Sequence, residues 1–112
     1  MATPTEIAQA QLDAYNTQAL DTFCGYFADD IVIADLNGAT SLTGIDAYRA
    51  KYAAVFAEFP ENKVELLGRI VVGNIVIDHE RVNRSPRATP FEVAAIYTVK
   101  DGKIARVDFV KA

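Results

Sequence analysis

The chain has 112 residues, of which 51% are hydrophobic and 23% are charged, and its formal net charge is −4 at pH 7. These values predict one globular domain over residues 1–112 and exclude a disordered chain. No run of Lys and Arg forms a basic track for nucleic acid, and no apolar stretch approaches the roughly 20 residues that span a membrane. The lone Cys24 excludes an internal disulfide and, without an export signal at the N-terminus, favours a cytoplasmic protein.

The first half of the sequence predicts three helices. Thr3–Glu6 is a typical helix start, because its Thr can cap the first turn and its Glu can complete a capping box. We expect this helix to end near Thr17, a short second helix to begin near Asp21, and a third to lie between Gly44 and Pro60. The third has the clearest helical periodicity in the chain, carried by Ile45, Tyr48, Tyr52, Val55, Phe56 and Phe59.

The rest of the sequence predicts strands. A β-branched apolar run at Ile31–Leu36 is the first, and turn dipeptides at Gly73-Asn74 and Asp101-Gly102 separate later ones. These later strands are expected over residues 63–72, 75–84, 91–100 and 103–110. The order of elements predicts an α+β domain, with three N-terminal helices packed on a strongly curved, mostly antiparallel β-sheet.

Two segments carry a family resemblance. Tyr15–Ile33, with its Tyr-Phe-Ala-Asp-Asp run, resembles the opening of the nuclear-transport-factor-2-like superfamily, and Tyr97–Val107 is similar to its closing hairpin. SnoaL-like polyketide cyclases, ketosteroid isomerases and limonene epoxide hydrolases share this pattern. The resemblance implies a cone-shaped, cystatin-like roll around a pocket for a small apolar organic molecule, and an isomerase, cyclase or hydrolase activity that uses no cofactor.

Asp35 is the first candidate for chemistry. It lies on the same strand face as Ile31 and Ile33, so its carboxylate is either at the rim of an apolar pocket or buried inside it. Burial would raise its pKa and make it a usable general base. The resemblance places Asp35 where similar ketosteroid isomerases carry their base. The alternative is an Asp that caps the turn at Asn37-Gly38.

The strand over residues 75–84 has two polar faces. One carries His79 and Arg81, and the other carries Asp78 and Glu80. Because two buried carboxylates are costly, we expect His79 and Arg81 to face the pocket, where His79 can act as acid, base or donor. The alternative is a solvated face whose residues form cross-strand ion pairs with neighbours such as Glu92.

The resemblance also implies further pocket residues. Tyr52 matches a pocket tyrosine of the isomerases and is a candidate catalytic donor, although a core aromatic residue with its hydroxyl group at the edge is the simpler interpretation. Besides Arg81, the expected ligand-binding residues are Gln11, Tyr15, Tyr48, Phe56, Tyr97 and Phe109.

The family machinery is incomplete in this chain. Gln11 and Ala95 stand where the isomerases carry their oxyanion donors, and Asn83 and Phe109 where the epoxide hydrolases need Asp. The sequence has no phosphate cradle, metal-ligand cluster or nucleophile elbow, so no metal or cofactor is predicted.

Three functions therefore remain open, namely an acid–base enzyme using Asp35, a binding module without chemistry, and a dimerisation unit. A homodimer is expected in any of them, through outward-facing residues of the last strands, which are Ala94, Ile96, Thr98, Ile104 and Val110.

Overall fold

A computed structural model describes residues 2–112 as three helices against one six-stranded sheet. The sheet order is β2-β1-β6-β5-β4-β3, and only the β1–β6 pair is parallel. This confirms the predicted three helices on a mostly antiparallel sheet and adds β2, which the sequence did not predict. The elements are α1 Pro4–Asn16, α2 Leu20–Cys24, β1 Phe27–Asp35, β2 Thr40–Thr43, α3 Ile45–Glu58, β3 Lys63–Val72, β4 Ile75–Asn83, β5 Phe91–Lys100 and β6 Lys103–Lys111.

The first helix begins at the predicted capping box. The Glu6 backbone N–H donates to the Thr3 hydroxyl oxygen over 3.2 Å, and the Thr3 backbone N–H donates to the Glu6 carboxylate over 2.9 Å. These two bonds satisfy backbone donors that a helix start leaves unpaired, so the start of α1 is fixed locally.

A β-bulge changes the register of the β3–β4 hairpin. Next to the turn, where Gly73 has a φ of 57°, the pairing is regular and sets Arg69 opposite Asp78. Farther from the turn, Leu67 has no partner on β4, so that Leu66 rather than Leu67 is opposite Glu80. The bulge keeps Arg69 on the inner face of the sheet together with Leu66, which strict alternation would not allow.

A second bulge lies at Ala105 in β6. Val99 pairs with Ile104 and Thr98 with Arg106, which leaves Ala105 unpaired. As a result Ile104 is fully buried, and the prediction that it faces outward was wrong.

The space between the helices and the inner face of the sheet is rich in aromatic rings. Six of them contact one another with centroid separations from 4.6 to 6.1 Å, namely Tyr15, Phe23, Phe27, Tyr48, Tyr52 and Phe56. Within residues 2–112, no helix has the length and apolar character to cross a bilayer.

Candidate functional site

A cavity of about 250 Å³ lies between the aromatic residues of the helices and the inner face of the sheet. Its apolar wall includes Leu12, Phe23, Ile33, Val64, Val82 and Val93. Its polar lining comes from both layers and comprises Gln11, Tyr15, Asp35, Ser41, Tyr48, Lys51, Tyr52, Glu80, Arg84, Tyr97 and Lys111. An apolar hollow with a few polar groups is the usual form of a small-molecule site.

Most of the candidate residues meet at this cavity. Those that line it are Gln11, Tyr15, Asp35, Tyr48, Tyr52, Tyr97 and Phe109. His79, Arg81 and Phe56 do not. Phe56 lies one helical turn beyond Tyr52 and packs edge-on against Tyr15, with ring centroids 5.3 Å apart, so it fills the core instead of lining the cavity.

The prediction that His79 and Arg81 face the pocket was wrong. Both lie on the outer face of β4, with His79 paired to Glu92 over 2.5 Å and Arg81 within 3.4 Å of Glu65. The side chain of His79 is 54% exposed. The alternative of cross-strand ion pairs on a solvated face describes this surface, and the opposite face of β4 carries the carboxyl groups inward.

Asp35 lines the cavity but is exposed to solvent. It ends β1, its backbone accepts a hydrogen bond from Gly38 over 2.9 Å, and it pairs in the sheet with Phe109. Its carboxylate therefore lies at the rim of the cavity, and the burial expected of a strong general base is not present.

Asp78 is fully buried beside a compensating arginine. Arg69 donates to both of its carboxylate oxygens, from Nε over 2.7 Å and from a terminal nitrogen over 3.0 Å, and also contacts Gln9 over 3.0 Å. Two parallel N–H···O bonds are the strongest geometry for a carboxylate. Asp78 is thereby held as a paired, structural charge.

Glu80 is the buried carboxyl group that faces the cavity. It is 5% exposed and lines the cavity, and the hydrogen bonds of Arg69 go to Asp78 and Gln9 rather than to Glu80. Loss of hydration, and then the negative charge of Asp78, raise the pKa of Glu80 from its ordinary 4.5 to about 8, against a smaller opposing effect of Arg69. Near neutral pH this group exchanges a proton readily.

The sequence contained a signal for this arrangement. Counting outward from a two-residue turn at Gly73-Asn74 places Arg69 opposite Asp78 on the neighbouring strand. An arginine opposite an aspartate lowers the cost of burying the aspartate, because the two charges pair. The cost of burying two carboxylates counts against this face only when Arg69 is left out, and for this reason the predicted orientation of β4 was wrong.

Tyr97 brings a hydroxyl group to the same cavity. Gln11 donates to the Tyr97 oxygen over 3.1 Å and to the Ala8 carbonyl over 3.0 Å. Since the Tyr97 oxygen accepts from Gln11, its own hydrogen remains for another acceptor. Burial, and then the charges of Glu80 and Asp78, raise the pKa of Tyr97 well above its ordinary value, so the hydroxyl stays protonated.

Tyr15 is held by two donors at another wall of the cavity. Its hydroxyl oxygen accepts from Arg84 over 2.9 Å and from the buried Asn62 over 2.5 Å. These bonds tie α1 to the segment before β3 and to the end of β4, and they fix Arg84 at the cavity.

No group of His, Cys, Asp and Glu side chains within the described part of the chain is arranged to hold a metal ion. The polar groups of the cavity are suited to proton transfer and hydrogen bonding.

Comparisons with known proteins place this architecture in a family. A family model described as a SnoaL-like domain matches residues 8–107. An uncharacterised cystatin-fold protein from Novosphingobium aromaticivorans is 34% identical with a TM-score of 0.91, over 98% of this chain and 99% of that one. A proposed polyketide cyclase from Sinorhizobium meliloti is 28% identical with a TM-score of 0.78, over 93% of each chain.

A proposed ketosteroid isomerase from Kribbella flavida shares the fold, with a TM-score of 0.81 at 16% identity over 97% of this chain and 77% of that one. No curated protein matches the sequence. Since the family model spans nearly the whole sequence and agrees with the observed fold, this chain belongs to the SnoaL-like domain family.

Proposed function

We propose that this protein is an enzyme that moves a proton on a small, largely apolar carbonyl compound, with Glu80 as the acid–base group. The observation that carries the proposal is a buried carboxyl group with a pKa of about 8, facing a cavity of about 250 Å³. A carboxyl group with its pKa near the working pH is suited to general acid–base catalysis. The similarity to a proposed polyketide cyclase supports a carbonyl-containing substrate.

The proposed step is proton abstraction next to a carbonyl group. Ionised Glu80 takes a proton from the carbon, and the electron pair of the C–H bond moves into the carbonyl group to give an enolate. The Tyr97 hydroxyl, which accepts from Gln11, donates its hydrogen bond to the developing oxyanion. Protonated Glu80 then returns the proton to another carbon, so that the net result is an isomerisation.

Substitution of Glu80 tests this proposal. We expect Glu80→Gln to lower the turnover of a responsive enone or β-keto acid by about 10²-fold or more, because a general base contributes roughly that much. Wild-type activity should rise with pH and level off above about 8. Asp78, Arg69, Tyr52 and Tyr97 are the ionisable groups around Glu80. Unchanged turnover in Glu80→Gln would remove Glu80 from the mechanism.

Asp35 remains a second candidate base. It lines the cavity at its exposed rim, so its carboxylate is open to water and lacks the enclosure that Glu80 has. We expect Asp35→Asn to keep most of the activity in the same assay. A loss larger than that of Glu80→Gln would transfer the catalytic role to Asp35.

Binding without chemistry is the second candidate function. Gln11 uses both hydrogens of its amide group as donors, to Ala8 and Tyr97, so Gln11, at a position where the resemblance places an oxyanion donor, has none left for an oxyanion. This favours a site that orients an apolar metabolite through Tyr97 and Glu80. Saturable binding of a compound that is never turned over would support this function over catalysis.

We also propose that the domain forms a homodimer through the outer face of its sheet. Ile70, Ile77 and Ile96 are cross-strand neighbours in one row on that face, and Ile70 is 61% exposed. A continuous apolar row of this kind favours contact with another protein surface.

A further inference from the structure

Three cationic side chains line the cavity, and they come from three separate elements. Lys51 is on α3, Arg84 follows β4, and Lys111 ends β6. We call Lys51, Arg84 and Lys111 the basic rim. Among residues 2–112, Arg49, Arg69, Arg81 and Arg106 form ion pairs with carboxylates, whereas none of the basic rim does so.

The cations of the basic rim are close enough to repel one another. The pKa of Lys51 is lowered, first by loss of hydration and then by the charges of Lys111 and Arg84. No carboxylate is among the groups that perturb it. Like charges gathered without ion-pair partners are unfavourable, and an anion bound between them relieves the repulsion.

Aromatic contacts hold two members of the rim in place. The Lys51 ammonium lies 5.4 Å from the centre of the Tyr52 ring, and the Arg84 guanidinium lies 5.7 Å from that of Phe59. Arg84 also donates to the Tyr15 hydroxyl over 2.9 Å. Both charges are therefore positioned before any ligand arrives, which lowers the entropic cost of binding.

The local charge is opposite in sign to that of the whole chain. Besides the three cations, the carboxyl group of Asp35 lies at the cavity opening, so that the formal charge of the opening is about +2. Glu80 lies inside the cavity and is not part of this sum. The chain as a whole carries −4. A positive opening on an acidic protein attracts anions to this one location.

We propose that the cavity binds an organic monoanion, with its apolar body inside and its carboxylate between Lys51, Arg84 and Lys111. This inference deepens the proposed function, since it names the class of substrate. It rests on that function only in taking the cavity to be the ligand site, and not on proton transfer by Glu80.

The size of the cavity selects the probes. Roughly 150 Å³ is enough for benzene in an engineered apolar cavity, so a cavity of about 250 Å³ admits a body of one or two rings. Three compounds with the same two-ring body separate the effect of charge, namely 2-naphthoate, its neutral methyl ester and 2-naphthylmethylammonium.

Calorimetric titration of these three compounds at pH 7 is the primary measurement. We expect 2-naphthoate to bind at least about tenfold more tightly than the ester, and the ammonium compound to bind most weakly, because the carboxylate gains opposite-charge contacts with three cations and the ester gains none. Raising NaCl from 20 to 200 mM should reduce this preference, since salt screens charges at an exposed opening.

Variants assign the preference to the rim. Lys51→Gln and Lys111→Gln should each weaken the binding of 2-naphthoate by about three- to tenfold and leave the binding of the ester unchanged. Lys100→Gln is the matched control, because Lys100 is an exposed lysine that does not line this cavity. Arg84 is kept, since it also holds Tyr15.

The proposal is overturned if the ester or the ammonium compound binds as tightly as 2-naphthoate, if Lys100→Gln matches the rim variants, or if none of the three binds at millimolar concentration. Titrations repeated in Glu80→Gln separate the two ideas. If the Glu80→Gln variant still prefers the anion, the result supports anion binding by the basic rim even if Glu80 catalyses nothing. If turnover depends on Glu80 but no anion preference is found, only the acid–base proposal is left.

Discussion

Two carboxyl groups on β4 are buried two residues apart, and their surroundings differ. Asp78 receives both hydrogen bonds of a neighbouring arginine, whereas Glu80 faces the cavity and experiences Asp78 as a nearby negative charge. A buried carboxyl group without a charge partner minimises its cost by keeping its proton. The pair thus divides into a structural ion and a proton-exchanging group.

This difference predicts how stability depends on pH. The unfolded chain loses the Glu80 proton near pH 4.5, whereas the folded chain keeps it up to about pH 8. The contribution of Glu80 to the free energy of unfolding should therefore be highest below about pH 4.5, fall as the pH rises toward 8, and then level off. The ionisable groups around Glu80 are Asp78, Arg69, Tyr52 and Tyr97, and the variant described next retains all four.

Glu80→Gln should remove this part of the pH dependence. Because one unit of pKa shift corresponds to about 1.4 kcal/mol, we expect the variant to be more stable than wild type by roughly 2–5 kcal/mol at pH 9 and by little at pH 5. Urea unfolding at pH 5, 7 and 9 measures both chains. An equal decline of stability in the two chains would contradict the assignment.

At the scale of elements, local chemistry predicted the β3–β4 hairpin well. Gly73-Asn74 is the observed turn, and the strands at residues 63–72 and 75–83 agree with the predicted bounds to within one residue. The capping box predicted the start of α1 for the same reason, since the residues that decide it are neighbours in sequence.

The bulges and the long-range pairing were not predictable in this way. Leu67 and Ala105 are ordinary apolar strand residues, and nothing in their own side chains marks them as bulge positions. The parallel β1–β6 pair depends on partners distant in sequence. The short β2 at Thr40–Thr43 pairs instead with the neighbouring β1, across the predicted turn at Asn37-Gly38.

The ion pair inside the hairpin should be strongly stabilising relative to its half-broken forms. Removing the positive charge in Arg69→Met leaves a fully buried Asp78 without its partner, which costs about 3–5 kcal/mol. The double variant Arg69→Met/Asp78→Leu should recover most of this loss, because both charges are then absent. Urea unfolding of wild type, both single variants and the double variant measures the coupling. Additive effects would show that the two side chains do not stabilise each other.

At the scale of the whole molecule, the fold followed from the order of elements, but the lining of the cavity did not. Helical spacing placed Tyr48, Tyr52 and Phe56 on one face of α3, and all three are buried. Only the first two reach the cavity, because packing against Tyr15 places Phe56 in the core. The contribution of Lys51, Arg84 and Lys111 depends on three distant segments meeting, which no local pattern records.

The outer face of the sheet leads to a prediction about assembly. Ile70 and Val72, on edge strand β3, are 61% and 69% exposed, and burying such side chains between two copies of the chain removes apolar surface from water. We expect light scattering at micromolar concentration to give twice the mass of one chain, and Ile70→Lys or Val72→Lys to give the single mass. Leu36→Lys is the control, since Leu36 is 46% exposed but follows β1 and does not belong to β3. A wild-type chain that runs as a monomer, or a Leu36→Lys variant that dissociates equally, would exclude this face as the dimer contact.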